Sequence, residues 1–282
     1  MHARTPDAGP GTPPRPGPGG PHAGLEQAGG RPGTTPPVPG RWSAYGRSVL
    51  ASILFPAVLA VFLVFLTVQV VVDAGPLIPL DEAVRDGVRD AAAASGLGWL
   101  DGPMHLLADL GGPVPGGVAL VAACAYACLR APDRAARLRL AGVAAASVAV
   151  VSVLVIAGKN AIDRAGPSGG EVTGGEWGFF PSGHTATSAV CFGTAALVLG
   201  TVLSPAARRR TYAGTSLLCA LIGLALLWCD YHWLGDVLAS WALCGIVLWT
   251  AARVLPSGGH PDRGGPGTGP QSPSSVSSAA RP

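Results

Sequence analysis

The chain has 282 residues, of which 49% are hydrophobic and 12% charged, with a mean hydropathy of +0.41; a soluble domain carries about a quarter charged residues. Nineteen Lys and Arg against sixteen Asp and Glu leave a net charge of +3, with no basic cluster interleaved with aromatics. This excludes an ordinary soluble globule and gives no support to a nucleic-acid-binding surface; the composition is that of a small integral membrane protein. The bias towards Arg, Ala, Gly and Pro reads as that of a GC-rich bacterial genome, and Lys159 is the sole lysine.

Residues 1–40 contain 11 Pro and 10 Gly and almost no large apolar side chain. They cannot bury enough surface to offset the entropy of ordering, so a disordered tail is expected. The tail lacks the short apolar core of a cleavable signal peptide, which makes the first apolar run a retained anchor. A second low-complexity tail is expected at 256–282. The expected folded unit is therefore 41–255.

Within it lie six apolar stretches near the length of about 20 helical residues that a hydrocarbon core requires. They fall near 48–72, 112–130, 140–158, 185–203, 212–229 and 234–254. The stretch at 112–130 is the weakest of them, because Gly111-Gly112-Pro113 and Gly116-Gly117 interrupt its start. Helices satisfy every backbone polar group inside lipid, and no period-two alternation points to a barrel. The expected architecture is all-α, a polytopic bundle of six membrane-spanning helices.

The segment 79–95 has helical spacing, with Leu80, Val84, Val88 and Ala92 apolar against Asp81, Arg85, Asp86, Arg89 and Asp90. We read it as a helix that lies along the outer interface or packs on the bundle, its acids forming a solvated face; a catalytic role for those acids is the alternative. Cys124, Cys128, Cys191, Cys219, Cys229 and Cys244 fall in or beside the spans without a metal-site pattern and read as packing residues.

With the N-terminal tail inside, the inner side receives Arg41, Arg47, Arg130, Arg134, Arg137, Arg139, Arg208, Arg209, Arg210 and Arg253, ten in all. The outer side receives Arg85, Arg89, Lys159 and Arg164, four in all. This satisfies the positive-inside rule and places both termini in the cytoplasm. The loops 159–184 and 230–233 then share the outer face of the plasma membrane.

Those loops hold polar residues that lipid-facing helices have no reason to keep: Lys159, Arg164, Ser182, Gly183, His184, His232 and Asp236. Pro181-Ser182-Gly183-His184 opens the fourth span, so Ser182 can cap a helix whose free N–H groups and dipole favour an anion such as phosphate. Gly183 lets an oxyanion approach without a Cβ in the way, and His184 stands where it can donate a proton. A plain cap followed by an interfacial histidine is the structural alternative.

His232 and Asp236, at i and i+4, share one face of a helix starting near Tyr231. The carboxylate can accept from one imidazole nitrogen and leave the other as an oriented nucleophile or base. A structural His–Asp hydrogen bond, or a metal site completed by His184 or Asp230, is the alternative. Lys159 ends the third span on the side otherwise poor in basic residues, where an ammonium can hold a phosphate or simply snorkel.

In this order the three motifs resemble the type 2 phosphatidic acid phosphatase superfamily, membrane lipid phosphatases related to vanadium haloperoxidases. That family reads Lys-x6-Arg-Pro, then Pro-Ser-Gly-His, then Ser-Arg-x5-His-x3-Asp. Here the first is Lys159-Asn-Ala-Ile-Asp-Arg-Ala-Gly-Pro167, the second Pro181-Ser-Gly-His184 preceded by Phe179-Phe180, and the third His232-Trp-Leu-Gly-Asp236. The resemblance covers roughly 100–254. It departs at Gly166, where the pattern has Arg, and at Ala225-Leu226, where it has Ser-Arg. Each missing charged hydrogen bond costs about 1.5–3 kcal/mol of binding or transition-state stabilisation.

The resemblance implies His232 as nucleophile, forming a phosphohistidine, with Asp236 orienting its ring. It implies His184 as the proton donor to the leaving group and then the activator of water, and Lys159, Arg164, Ser182 and the Gly183 amide as the holders of the phosphoryl oxygens. No metal or other cofactor is needed. The implied partners are the bilayer and a lipid phosphate that enters past Trp177, Phe179, Phe180 and Trp233, aromatics that equally fit an interfacial belt. A lipid-phosphate-binding or scaffold protein without activity, and a phosphotransferase to an acceptor other than water, remain open.

Overall fold

The computed structural model describes residues 41–94, 96–169 and 177–256, with side chains from residue 53 onward. The chain divides into two units, Met1–Gly46 and Arg47–Pro282; of the first, only the helical backbone of 41–46 is described. The expected tails, 1–40 and all but Pro256 of 256–282, lie outside the described residues.

The described residues are all-helical: α1 (Arg41–Val71), α2 (Leu77–Ala94), a 3-10 turn (Leu97–Leu100), α3 (Asp101–Leu110), α4 (Pro113–Arg130), α5 (Arg134–Ala161), α6 (Gly183–Gly200), α7 (Pro205–Trp228) and α8 (Leu234–Val254). Local chemistry sets the boundaries. Asp133 caps α5 by accepting from the Ala136 amide at 2.7 Å, and Ser204 caps α7, with Pro205 in its first turn. Pro113 likewise stands in the first turn of α4, so the Gly-Pro sequence that seemed to weaken this span is its start signal.

Among the described residues, five helices are long and apolar enough to cross a bilayer, namely the Ile53–Val71 part of α1, together with α4, α5, α7 and α8. The chain is a multi-pass membrane protein. The expectation of six such spans is corrected at 185–203. That segment does form α6, but it carries Thr185, Ser188 and Thr194, all buried, and falls short of the apolarity of the others. The reason is its place in the bundle. α6 packs against α4, α5, α7 and α8, and eleven of its 18 residues are buried, so protein rather than lipid is its solvent. The lipid-facing surface belongs instead to helices such as α1, which exposes Ile53, Leu54, Val58, Val61, Phe65 and Val68.

The central cluster joins Leu120 and Ala123 of α4, Val151 and Val155 of α5, Val190 and Cys191 of α6, and Leu243 and Cys244 of α8. Cys191 and Cys244 act here as small packing groups, as expected, and Cys244 Sγ also donates to the Ala186 carbonyl at 3.4 Å. Close approach of α4 to α6 depends on Gly116, where an added Cβ would stand 3.0 Å from Cys191 Cβ, whereas one on neighbouring Gly117 meets nothing within 4 Å. Gly116→Leu therefore overpacks this contact and lowers stability by about 1–3 kcal/mol. Gly117→Ala raises stability by about 0.5–1 kcal/mol through backbone entropy alone. Thermal midpoints of the two variants in detergent check the opposite signs.

Candidate active site

The first turns of α2, α6 and α8 and the last turn of α5 converge on one group of polar side chains. The Pro-Ser-Gly-His segment is fixed first. Ser182 is fully buried and caps α6, its Oγ accepting from the Thr185 amide at 3.2 Å. Its own N–H donates to the Asp236 carbonyl at 3.2 Å, and its carbonyl accepts from Ser240 Oγ at 2.9 Å. The start of α6 is thus tied to the first turns of α8. The Gly183 and His184 amides, in the first turn, have no partner within the helix. Ser182 Oγ, expected to hold a phosphoryl oxygen, is engaged in the cap.

Lys159 reaches across that helix start. Its Cε lies 3.6 Å from where a Cβ on Gly183 would stand, and its Nζ donates to the Gly178 carbonyl at 2.7 Å. Gly178 is required here, because an added Cβ would come within 3.0 Å of the Lys159 carbonyl, Asp163 Cα and the Arg164 amide. The Phe179 amide donates to the Arg164 carbonyl at 2.9 Å, which completes the docking of 177–180 on 159–164. His184 sits between this wall and the end of α3, its Cβ 3.1 Å from a Cβ built on Gly111, within electrostatic reach of His232, Lys159 and Asp109.

His232 does not lie on a helix starting near Tyr231, as the spacing predicts. α8 begins at Leu234 with Trp233 as its cap. The pair still meets, because Asp236, in the first turn, reaches back: its Oδ2 accepts from the Trp233 amide at 3.1 Å and lies 3.2 Å from His232 Nδ1. An ionised carboxylate only accepts, so in this contact Nδ1 is the donor and Nε2 lies on the other side of the ring from Asp236. Both residues are buried. Asp230, the other candidate in this loop, is bound instead to Arg89 at 2.6 Å.

Arg164, expected to grip phosphate, is committed elsewhere. One terminal nitrogen donates to Asp236 Oδ1 and the other to Asp81 Oδ2, both at 2.6 Å. Asp81 is the residue that sequence reasoning missed. On α2 it is 1% exposed, and its second oxygen accepts from the Gly235 amide at 2.8 Å. Burial pushes its carboxyl above the ordinary value, opposed by the hydrogen bonds from Arg164 and Gly235. The solvated-face reading of α2 therefore fails at Asp81. The inward face is Leu77, Asp81, Val84 and Val88, while Leu80 is exposed. An acid at helical spacing within an apolar stripe was the available signal.

The two departures from the family pattern have structural occupants. Gly166 lies under the Phe179 ring, whose atoms would stand 2.7–3.0 Å from an added Cβ. Phe179 meets His232 edge-on, ring centroids 5.7 Å apart. Leu226 is fully buried with Ala108, Ile222 and Ala225 between α3 and α7. Of the aromatics expected along an access path, Trp177 is exposed, but Phe180 is buried against Leu66, Val70 and Ala239. Trp233 lies beneath the Arg85 and Arg164 guanidiniums and donates from its ring to the Ala165 carbonyl at 2.9 Å.

Comparison with known proteins agrees with the motifs. The model of the PAP2 superfamily matches residues 136–257. Among solved structures it is similar to a transmembrane PAP2-type phosphatidylglycerolphosphate phosphatase from Bacillus subtilis, with a TM-score of 0.56 and 20% identity over 71% of this chain and 94% of that one. At that identity the likeness speaks for the fold. No curated protein matches the chain. The resemblance drawn from the three motifs is thus borne out, and α2, with Asp81, lies outside the PAP2 match.

Because Phe179 fills the space above Gly166, restoring the pattern there disturbs the site. Gly166→Arg must displace the ring, and overpacking of this kind costs about 1–3 kcal/mol. A lowered thermal midpoint in detergent, relative to the unsubstituted chain, is the expected result.

Proposed function

We propose that the protein hydrolyses the terminal phosphate of a lipid phosphate or prenyl diphosphate, through a phosphohistidine, at the outer face of the plasma membrane. The observation that carries this reading is the buried His232–Asp236 pair, in which the carboxylate engages Nδ1 and leaves Nε2 clear of it, in a chain that also holds a capped helix N-terminus and a lysine beside it. The PAP2 match and the fold of the Bacillus subtilis phosphatase support the same class of reaction.

In this reading the Nε2 lone pair of His232 attacks phosphorus. The bond to the leaving oxygen breaks as His184 gives that oxygen a proton. Water then attacks the phosphohistidine and passes a proton to His184. The P–N bond breaks, and inorganic phosphate and the free His232 ring result. Asp236 holds the ring by Nδ1 and stabilises the charge it gains. Lys159 and the first-turn amides at Gly183 and His184 receive the phosphoryl oxygens, with Ser182 holding that turn in place. Arg164, bound to two carboxylates, serves Asp236 rather than the phosphate. The mechanism uses no metal. The outward orientation, with both termini cytoplasmic, rests on ten basic residues inside against four outside.

A second reading, binding of a lipid phosphate without turnover, is favoured by Leu226 in the core and by the commitment of Arg164. Transfer to an acceptor other than water would use the same intermediate and is told apart by its product.

Purified protein in mixed micelles containing EDTA is expected to release phosphate from at least one of phosphatidate, phosphatidylglycerol phosphate and a prenyl diphosphate. His232→Ala abolishes that release while the protein stays folded. Loss in EDTA that one divalent ion restores would favour a metal site at His184, His232 and Asp236 instead. Silence of the unsubstituted chain across the panel would favour the binding protein. Asp236→Asn, which keeps the shape but lets the ring take the wrong tautomer, is expected to cost about 10³–10⁴ in kcat, checked in the same assay.

A further inference from the structure

The charged groups on α2 that reach the site have no place in the reading above. Arg85 donates to the Pro167 carbonyl at 3.5 Å, Arg89 pairs with Asp230 at 2.6 Å, and Asp81 lies at the centre, bound to both Arg164 and the Gly235 amide. α2 thus touches the 159–167 loop, the turn before His232 and the start of α8. Of these contacts only Asp81 is buried on a path that ends at the His232 ring.

That path is continuous. Asp81 Oδ2 accepts from one Arg164 nitrogen, the other Arg164 nitrogen donates to Asp236 Oδ1, and Asp236 Oδ2 lies 3.2 Å from His232 Nδ1. A guanidinium is planar, so fixing one terminal nitrogen on Asp81 fixes where the other points. The Asp236 carboxylate is then held on one edge by Arg164 and on the other by the Trp233 amide, and its rotation is stopped with Oδ2 towards the ring. Asp81 also accepts from Gly235, next to Asp236 in the first turn of α8. Gly235 is required for this approach, since an added Cβ would lie 3.1 Å from Asp81 Oδ2 and 3.0 Å from Leu77 Cδ2.

We propose that Asp81 is a positioning residue for His232, acting through Arg164 on the rotamer of Asp236, so that an interfacial helix outside the PAP2 match sets the nucleophile's orientation. This rests on the phosphatase reading for its effect on rate, but not for its effect on the ring.

Two measurements separate those dependencies, both on the full chain in micelles. The first is the tautomer of His232 by ¹⁵N NMR, assigned by the signal missing from His232→Ala. The unsubstituted chain is expected to show protonated Nδ1. Asp81→Asn keeps the acceptor for Gly235 but turns a donor towards Arg164, and is expected to give a mixture of tautomers. The second is hydrolysis of phosphatidate, where Asp81→Asn is expected to lower kcat at least tenfold with KM within twofold.

Asp86→Asn, on the exposed side of α2 and paired only with its neighbour Arg85 among the ion pairs described, is expected to match the unsubstituted chain. If Asp81→Asn fails to fold, Arg164→Lys takes its place, because an ammonium cannot span both carboxylates in one plane and should show the same mixed tautomers. If the tautomer signal of the folded variant is unchanged, the proposal is overturned whatever the activity. If the unsubstituted chain is inactive, or His232→Ala remains active, the phosphatase reading fails and the tautomer measurement alone decides on Asp81.

Discussion

Two buried carboxylates share one guanidinium, and the candidate site is arranged around that fact. Asp81 and Asp236 are 1% and 0% exposed. An unpaired buried carboxylate costs several kcal/mol, and a buried pair that loses one partner is typically destabilised by about 3–5 kcal/mol. Arg164 answers both at 2.6 Å, one per nitrogen, which a lysine could not do in a fixed plane. The triad carries one net negative charge, and Lys159 stands within electrostatic reach of Asp236. Four elements are therefore bound by the same charge balance: α2 through Asp81, the loop after α5 through Arg164, α8 through Asp236, and the end of α5 through Lys159.

This arrangement explains why the first motif departs from the family spacing. An arginine two residues earlier than the pattern, at 164 instead of 166, meets the carboxylates, and the vacated position becomes the glycine over which Phe179 lies. The departure in the third motif has a separate cause. Position 226 packs against Ala108 of α3 in a buried apolar cluster shared with Ile222 and Ala225 of its own helix, and a guanidinium there would be buried without a partner among them. The proposed phosphate cradle accordingly relies on one lysine and helix amides, which bind an oxyanion by fixed dipoles and need little reorganisation.

Much of this was legible in the sequence, and the reasons are local. Helix positions followed from apolar length, and Ser182 marked a start by capping chemistry that acts within three or four residues, whereas Pro113, which read as an interruption, is itself a start. His232 and Asp236 met because a four-residue spacing brings them together, even though the contact is made by a cap and not along a helix face. What escaped is non-local. Asp81 lies 83 residues from Arg164 and 154 from Gly235, and only folding reveals that the acid in the stripe of α2 is paired. α6 misled for a related reason: hydropathy measures fitness for lipid, and a helix enclosed by four others is not tested against lipid.

The enclosure of α6 also bears on where selectivity lies. Ser182 at its start donates to the Asp236 carbonyl and accepts from Ser240, so the proposed cradle and nucleophile sit on two helices joined at their first turns. Gly178, Gly158 and Gly235 allow backbone to approach within distances that admit no side chain, so little of this unit can shift to suit a ligand. In the proposed reading, selectivity then lies in groups that border the unit without holding it together. Trp177 is exposed, and a cavity of about 540 Å³ that has Asp81 and Arg164 in its wall is also lined by Val70, Ile78, Glu82 and Trp233. Substitutions at Glu82 or Trp177 act on the space around a fixed centre, whereas any change at Asp81, Arg164 or Asp236 acts on the centre itself.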